Sequence, residues 1–323
     1  MNAFADLTWG FPVVLYLFLG GMGAGTLVVS SSVLLRGGGG AFGGESFRLA
    51  RFGALIAPLP VIIGCAALVF ELGSFGAGHW FKWINLYKVM NLSPMSVGTW
   101  LLTAFIILSV ANAYLYVLPG TSVDDRFAGM RKVFAMILIP VGLGVAVYTG
   151  VLLGAMPSRP FWNSPVLALL FMLSSISTGI AALMLARTFM IWSHSSEEAE
   201  QRFHDSGYTL SASDLLMIGL ECVAVFLFLM YGHLTVGSVN YATDVILPGG
   251  LLARTFWVWF VLVGLIFPAL VEMYYVFPRL VQHRDYWAPR SMELVVAATV
   301  LIGGFMLRYV VLLGGQITWP VGV

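Results

Sequence analysis

FAMILIPVGLGVAVYTGVLLGAMPSRPFWN, residues 134–163, holds a complete membrane crossing and the loop that leaves it. Phe134–Leu153 carries no charge. An α-helix rises about 1.5 Å per residue, so about 20 apolar residues cross a hydrocarbon core of about 30 Å. Tyr148 stands near the end of that run. A Pro/Arg loop follows, then the aromatic pair Phe161 and Trp162. A phenol held close to the membrane surface can hydrogen-bond the head group of a lipid-soluble molecule.

Seven further runs of the same kind flank this one. The eight are Phe11–Leu35, Phe52–Phe70, Val97–Leu118, Phe134–Leu153, Pro165–Phe189, Leu215–Val236, Leu251–Phe277 and Met292–Leu313. The composition agrees: 59% of the 323 residues are hydrophobic and 10% are charged, against about 25% charged in a soluble domain. The runs do not alternate with a period of two, which excludes a transmembrane barrel. The expected fold is all-α, a polytopic membrane bundle of eight transmembrane helices. Residues 1–323 form one integral membrane domain, with four helices over about 9–153 and four over about 165–313.

Loop charges set the expected orientation, because Lys and Arg concentrate on the cytoplasmic side. Loops after the odd-numbered spans hold eleven: Arg36, Arg48, Arg51, Arg126, Arg131, Lys132, Arg187, Arg202, Arg279, Arg284 and Arg290. The remaining five of the sixteen are Lys82, Lys88, Arg159, Arg254 and Arg308. Both termini are therefore expected outside a bacterial or archaeal cytoplasmic membrane. The first run has no basic residue before it, unlike a secretory signal peptide. The polar stretch His194–Asp214 reads as a connector between the fifth and sixth spans, and the aromatic loop Leu72–Ser96 as an outer belt with room for a docking surface. Gly21/Gly25 and Gly150/Gly154 have the GxxxG spacing of close helix contacts, within one bundle or between subunits.

Polar residues inside these runs are the functional candidates, since ionisable groups are costly in hydrocarbon. Tyr16, Glu71 and Tyr148 fall in the first, second and fourth spans, all near the outer side. Taken singly, each also reads as ordinary interfacial decoration. Together, with apolar neighbours such as Trp9, Phe18 and Leu152, they make the wall of a small pocket: two hydrogen-bond donors and a carboxylate that exchanges protons. That set suits quinone chemistry. Glu221, Glu272 and Arg308 lie deeper in the last three spans, and Arg254 near the start of the seventh. They read as a structural ion pair or as a proton path.

Other chemistries lack their residues. Haem b needs paired axial histidines inside helices; His79, His194, His204 and His283 are in loops and His233 is near a span end. Cys65 and Cys222 are too few for an iron–sulfur cluster. No cluster has metal-ligand spacing, and phosphate loops and nucleophile elbows are absent. The expectation is no haem, no metal and no nucleic acid for this protein.

Several stretches resemble the NrfD/polysulfide reductase membrane subunit family: YLFLGGMGAG from Tyr16, FELGS around Glu71, NLSPMSVGTW at Asn91–Trp100, the Tyr148–Asn163 segment, LSSISTG at Leu173–Gly179, and FWVWFVLVGLIFPALVE at Phe256–Glu272. The resemblance implies a quinone-interacting anchor of a respiratory oxidoreductase complex, not an autonomous enzyme. It also implies a ferredoxin-like iron–sulfur subunit as partner, usually with a molybdopterin catalytic subunit. The quinone is menaquinone or ubiquinone. The family's pocket, formed by a histidine, an acid and a tyrosine, falls on Tyr16, Glu71 and Tyr148. Tyr16 stands where the family has histidine, and Val13 where it has asparagine. A phenol with a pKa of about 10 donates well but is a poor base at neutral pH, which moves proton exchange toward Glu71. Proton translocation through Glu221, Glu272 and Arg308, or a passive anchor, are the alternatives.

Overall fold

The computed structural model describes residues 9–37, 43–72, 84–88, 93–118, 126–190, 197–282 and 286–318. Within them the protein is all-helical, and eight helices are long and apolar enough to cross a membrane. In sequence order the elements are α1 Phe11–Arg36, α2 Gly43–Ile56, α3 Pro58–Leu72, α4 Asn85–Lys88, α5 Pro94–Val117, α6 Ala128–Gly154, α7 Val166–Met190, α8 Glu197–Leu234, α9 Ser238–Thr243, a π-helix Thr255–Ile266 that runs on into α10 Phe267–Gln282, and α11 Arg290–Ile317.

Three local outcomes differ from the sequence pattern. The second span is two helices, because Pro58 has no N–H to give and bends the backbone at Ala57. The polar stretch expected as a connector is helical from Glu197, and α8 continues through it as 38 residues. Its Ala, Glu, Gln and Arg residues are good helix formers, and its polar Ser206, Ser211 and Asp214 are buried against neighbouring helices. The seventh span begins as a π-helix, the wide-turn form that usually appears only in short pieces. Most of the aromatic outer loop, including Phe75, Trp80, Phe81 and Trp83, lies outside the described residues, as do His79, His194 and His283. Within that loop Tyr87 bonds Thr103 (2.7 Å) and meets Trp100 edge-on.

α1 is the axle of the bundle, packing on α2, α3, α6, α7 and α11. Lipid tails are as apolar as leucine, so close van der Waals contact holds such helices together. The sequence supplies it with glycine. A Cβ on Gly25 would fall 1.8 Å from the Ser175 carbonyl oxygen on α7, and one on Gly179 would fall 2.3 Å from the carbonyl carbon of Gly25. The two backbones touch with no side chain between them. On the other face, Gly23 admits the Ala57 carbonyl at the Pro58 bend. Gly150 backs onto Leu167 and Ala168 of α7, and Gly264 onto Gly303 of α11. The GxxxG glycines Gly21, Gly25 and Gly150 thus serve contacts within the bundle.

Filling this seam is expected to break the fold. Gly25→Leu or Gly179→Leu should cost well over the roughly 1–3 kcal/mol of ordinary overpacking, because the obstructing atoms are backbone. Gly129→Leu and Gly219→Leu, where nothing lies within 4 Å, should be tolerated. The yield of monodisperse protein after detergent extraction separates the two pairs.

Candidate functional site

Tyr16 lies on α1, one turn before Gly20, where a Cβ would meet its ring at an ordinary 3.9 Å. Gly64 of α3 backs onto the main chain of Tyr16. Tyr148 comes from α6. The two phenols are buried, 1% and 9% exposed, and face each other. The Cys65 thiol of α3 lies beside both. Tyr148 rests on α5, where a Cβ on Gly98 would fall 1.7 Å from Cζ and 2.0 Å from the hydroxyl. No other residue at position 98 leaves space for that phenol. Four helices therefore converge on one pair of hydroxyls. Cys65 and Gly98 are the parts that sequence reasoning missed. The signal for Gly98 was its place inside SPMSVGTW.

Glu71 is not in this pair. It is exposed near the end of α3, seven residues or about 10 Å beyond Gly64. Its Oε1 accepts the Gly10 N–H at 2.9 Å, where a carboxylate is favoured by the positive end of α1. The expected three-residue wall is thus a buried phenol pair with a carboxylate about two turns further out, at the mouth. Trp9 stands beside that mouth as a strut. It stacks on Trp162 (5.4 Å between ring centroids), and its backbone N–H donates to Gln316 Oε1 (2.9 Å) while Gln316 Nε2 donates back to its carbonyl (3.1 Å). Trp162 donates Nε1–H to the Val311 carbonyl (2.7 Å) over Gly315, and Arg159 donates to the Gln316 carbonyl (3.0 Å). The RPFWN segment buries Phe161 and Trp162. It clamps the start of α1 to the end of α11.

A second polar constellation lies among α7, α8, α10 and α11. Arg308 is fully buried. It donates through Nη1 to Ser174 Oγ and the Gly304 carbonyl, and through Nη2 to Ser175 Oγ. Glu221 faces both Ser174 and Arg308. Two turns back on α8, Asp214 accepts from Ser177 Oγ at 2.7 Å and faces Glu221. Glu272 of α10 faces Asp214 and Glu293. Glu293 pairs with Arg187, which also donates to Ser206 at 2.9 Å. Gly207 makes room for that pair. Next to it, outside the spans, Tyr286 bonds Ser211 at 3.1 Å. Burial pushes its phenol well above the usual range, and nearby Glu293 adds to this, so Tyr286 keeps its proton at neutral pH.

The row runs from Ser174 to Arg187 along α7, thirteen residues or about 20 Å. Asp214 Oδ2, Glu221 Oε1, both Glu272 oxygens and Glu293 Oε1 are buried without a hydrogen-bond partner among the described residues. The sequence pointed to Glu221, Glu272 and Arg308. It missed Asp214, Glu293 and Arg187, because two of them sat in or beside presumed loops. Arg254 is exposed before the π-helix and does not join the row. LSSISTG has a concrete role: Ser174 and Ser175 hold Arg308, Ser177 holds Asp214, and Gly179 closes on α1.

The family model described as "Polysulphide reductase, NrfD" matches residues 1–320. The sequence is 30% identical to Protein NrfD of Escherichia coli, with 98% of this protein and 97% of that one covered. It is 27% identical to the C subunit of polysulfide reductase from Wolinella succinogenes, with 98% and 96% covered. Likeness at this level over nearly the whole length of each means that this protein belongs to the polysulphide reductase NrfD family.

Proposed function

We propose that this protein is the membrane subunit through which a respiratory oxidoreductase complex exchanges electrons with the quinone pool. The observation that carries the reading is the buried Tyr16–Tyr148 pair in its four-helix seat. A buried hydroxyl needs a partner, and here the two phenols face each other in an apolar setting. A ligand carbonyl entering between them would accept from both without leaving either unpaired. A quinone supplies the redox chemistry, taking up or releasing two electrons and two protons. The protein's own residues bind it, orient it and pass protons. The phenols donate to a carbonyl oxygen, the apolar helix faces keep water out, and exposed Glu71 at the mouth exchanges protons with solvent. The electron partner is a ferredoxin-like iron–sulfur subunit, with a molybdopterin catalytic subunit beyond it. The Wolinella relative, by its name one part of a larger reductase, supports that assembly. Menaquinone and ubiquinone both suit the site, and the loop charges favour the outer side of a cytoplasmic membrane.

Tyr148→Phe in the intact complex is expected to lower quinol-linked turnover roughly ten- to a hundredfold, with assembly unchanged. Glu71→Gln keeps the acceptor for Gly10 but loses proton exchange, and is expected to slow turnover less. Unchanged rates in both variants would sink the assignment. Gly98→Ala should mimic Tyr148→Phe by evicting the phenol.

A second reading, proton translocation, is favoured by the buried row. Four carboxylates (Asp214, Glu221, Glu272 and Glu293) share two arginines, Arg187 and Arg308. Isolated charges are expensive in a dry interior, so neutrality asks for about two bound protons that can shift along the row. Asp214→Asn keeps the Ser177 contact and removes the central exchangeable site. In vesicles it should abolish proton movement beyond that of quinone chemistry itself, while electron transfer continues. Equal proton movement in wild type and variant would argue that the row is a structural ion-pair network.

A further inference from the structure

A cleft of about 300 Å³ opens between α1, α2, α7 and α8, at the end of the bundle where α1 finishes and α8 begins. Its floor is aliphatic, with Val28 on α1, Ile176 on α7 and Met217 on α8. Its rim is polar, with Arg36 and Ser32 on α1 and Thr209 on α8. From Val28 to Arg36 is eight residues, about 12 Å of depth along the helix. Arg36 is exposed, and no acidic residue lines the cleft among the described residues. Leu216, 60% exposed on the lipid-facing side of α8, forms part of the wall, so the cleft is reached sideways from the bilayer.

The shape and charge select an occupant. Water filling this volume would number about ten molecules at ~30 Å³ each, and each wants two to four polar partners. The aliphatic floor offers none. A quinone head asks for donors to two neutral carbonyls and makes little use of a lone guanidinium. An acyl tail with a phosphate at one end matches both floor and rim. Arg51, exposed two residues after Leu49 in α2, adds positive charge at the same end of the bundle. Basic pockets between membrane helices attract anionic lipid heads in this way.

We propose that this cleft seats one acyl tail of an anionic phospholipid from the surrounding leaflet, with Arg36 holding the phosphate. The site is separate from the phenol pair, and its lipid braces the α1–α8 gap, where the two helices pack little against each other directly.

The test uses the purified protein in discs of phosphatidylcholine, with or without a quarter of phosphatidylglycerol. The discs are stripped with detergent, and retained lipid is identified by native mass spectrometry. Wild type is expected to keep about one phosphatidylglycerol per protein. Arg36→Gln should lower that retention about fivefold and leave phosphatidylcholine unaffected. Met217→Trp, which fills the floor and keeps Arg36, should lose the lipid too. Elution profile and melting temperature confirm that each variant is folded. The proposal is overturned if Arg36→Gln or Met217→Trp retains as much phosphatidylglycerol as wild type. It is also overturned if phosphatidylcholine is held equally well, if the retained molecule is a quinone, or if inorganic phosphate alone stabilises the stripped protein as much as the lipid does.

Discussion

The contact between Gly25 on α1 and Gly179 on α7 is the constraint on which the rest of the structure depends. With no hydrophobic drive between helices in lipid, backbone-to-backbone approach sets where α1 can sit. Once it sits there, one face of α1 presents Tyr16 to α3 and α6. The opposite face lays Gly21 against Ser175, with the Arg308 guanidinium beside it. One helix thus touches both polar constellations, and neither can shift without moving the axle they share.

The two constellations answer the cost of burying polarity differently. The phenols face each other as two uncharged donors, which on the proposed reading a ligand carbonyl would accept from. The acidic row uses serine hydroxyls from a single helix to hold arginine and carboxylate in place, and leaves several carboxylate oxygens unmet. Buried hydrogen-bonding groups that are satisfied tend to be structural; those left over are where protons or ligands come and go. The clamp of Trp9, Trp162, Arg159 and Gln316 has no such surplus on its tryptophans, which fits a role in fixing the mouth.

Much of this was legible from the sequence. All eight spans could be counted from uncharged runs, because hydrocarbon imposes its thickness on them. Tyr16 and Tyr148 could be paired as candidates from depth alone. The sequence does not announce which residues meet in space, so the thiol of Cys65 had no local signal beyond its span, and the place of Gly98 inside SPMSVGTW did not say that it seats Tyr148. Asp214 was hidden for a different reason. It closes a stretch polar enough to read as a loop, yet it stands seven residues before Glu221, two helical turns, and so on the same face. Glu71 was placed at the right end of its helix, but the period of the helix did not reveal that it would turn to Gly10. Arg254 was grouped with the deep charges by its place in an apolar run, and the structure leaves it exposed.

The central claim is that the phenol pair is where a quinone binds. Photoactivated labelling of the intact complex with an azido-quinone, followed by mapping of the labelled peptides, tests it most directly. The account predicts labels on segments of α1, α3, α5 and α6 around Tyr16, Cys65, Gly98 and Tyr148, competed away by unmodified quinone and reduced in Tyr148→Phe. Competable labelling confined to other helices, or to the Arg36 cleft, would contradict it.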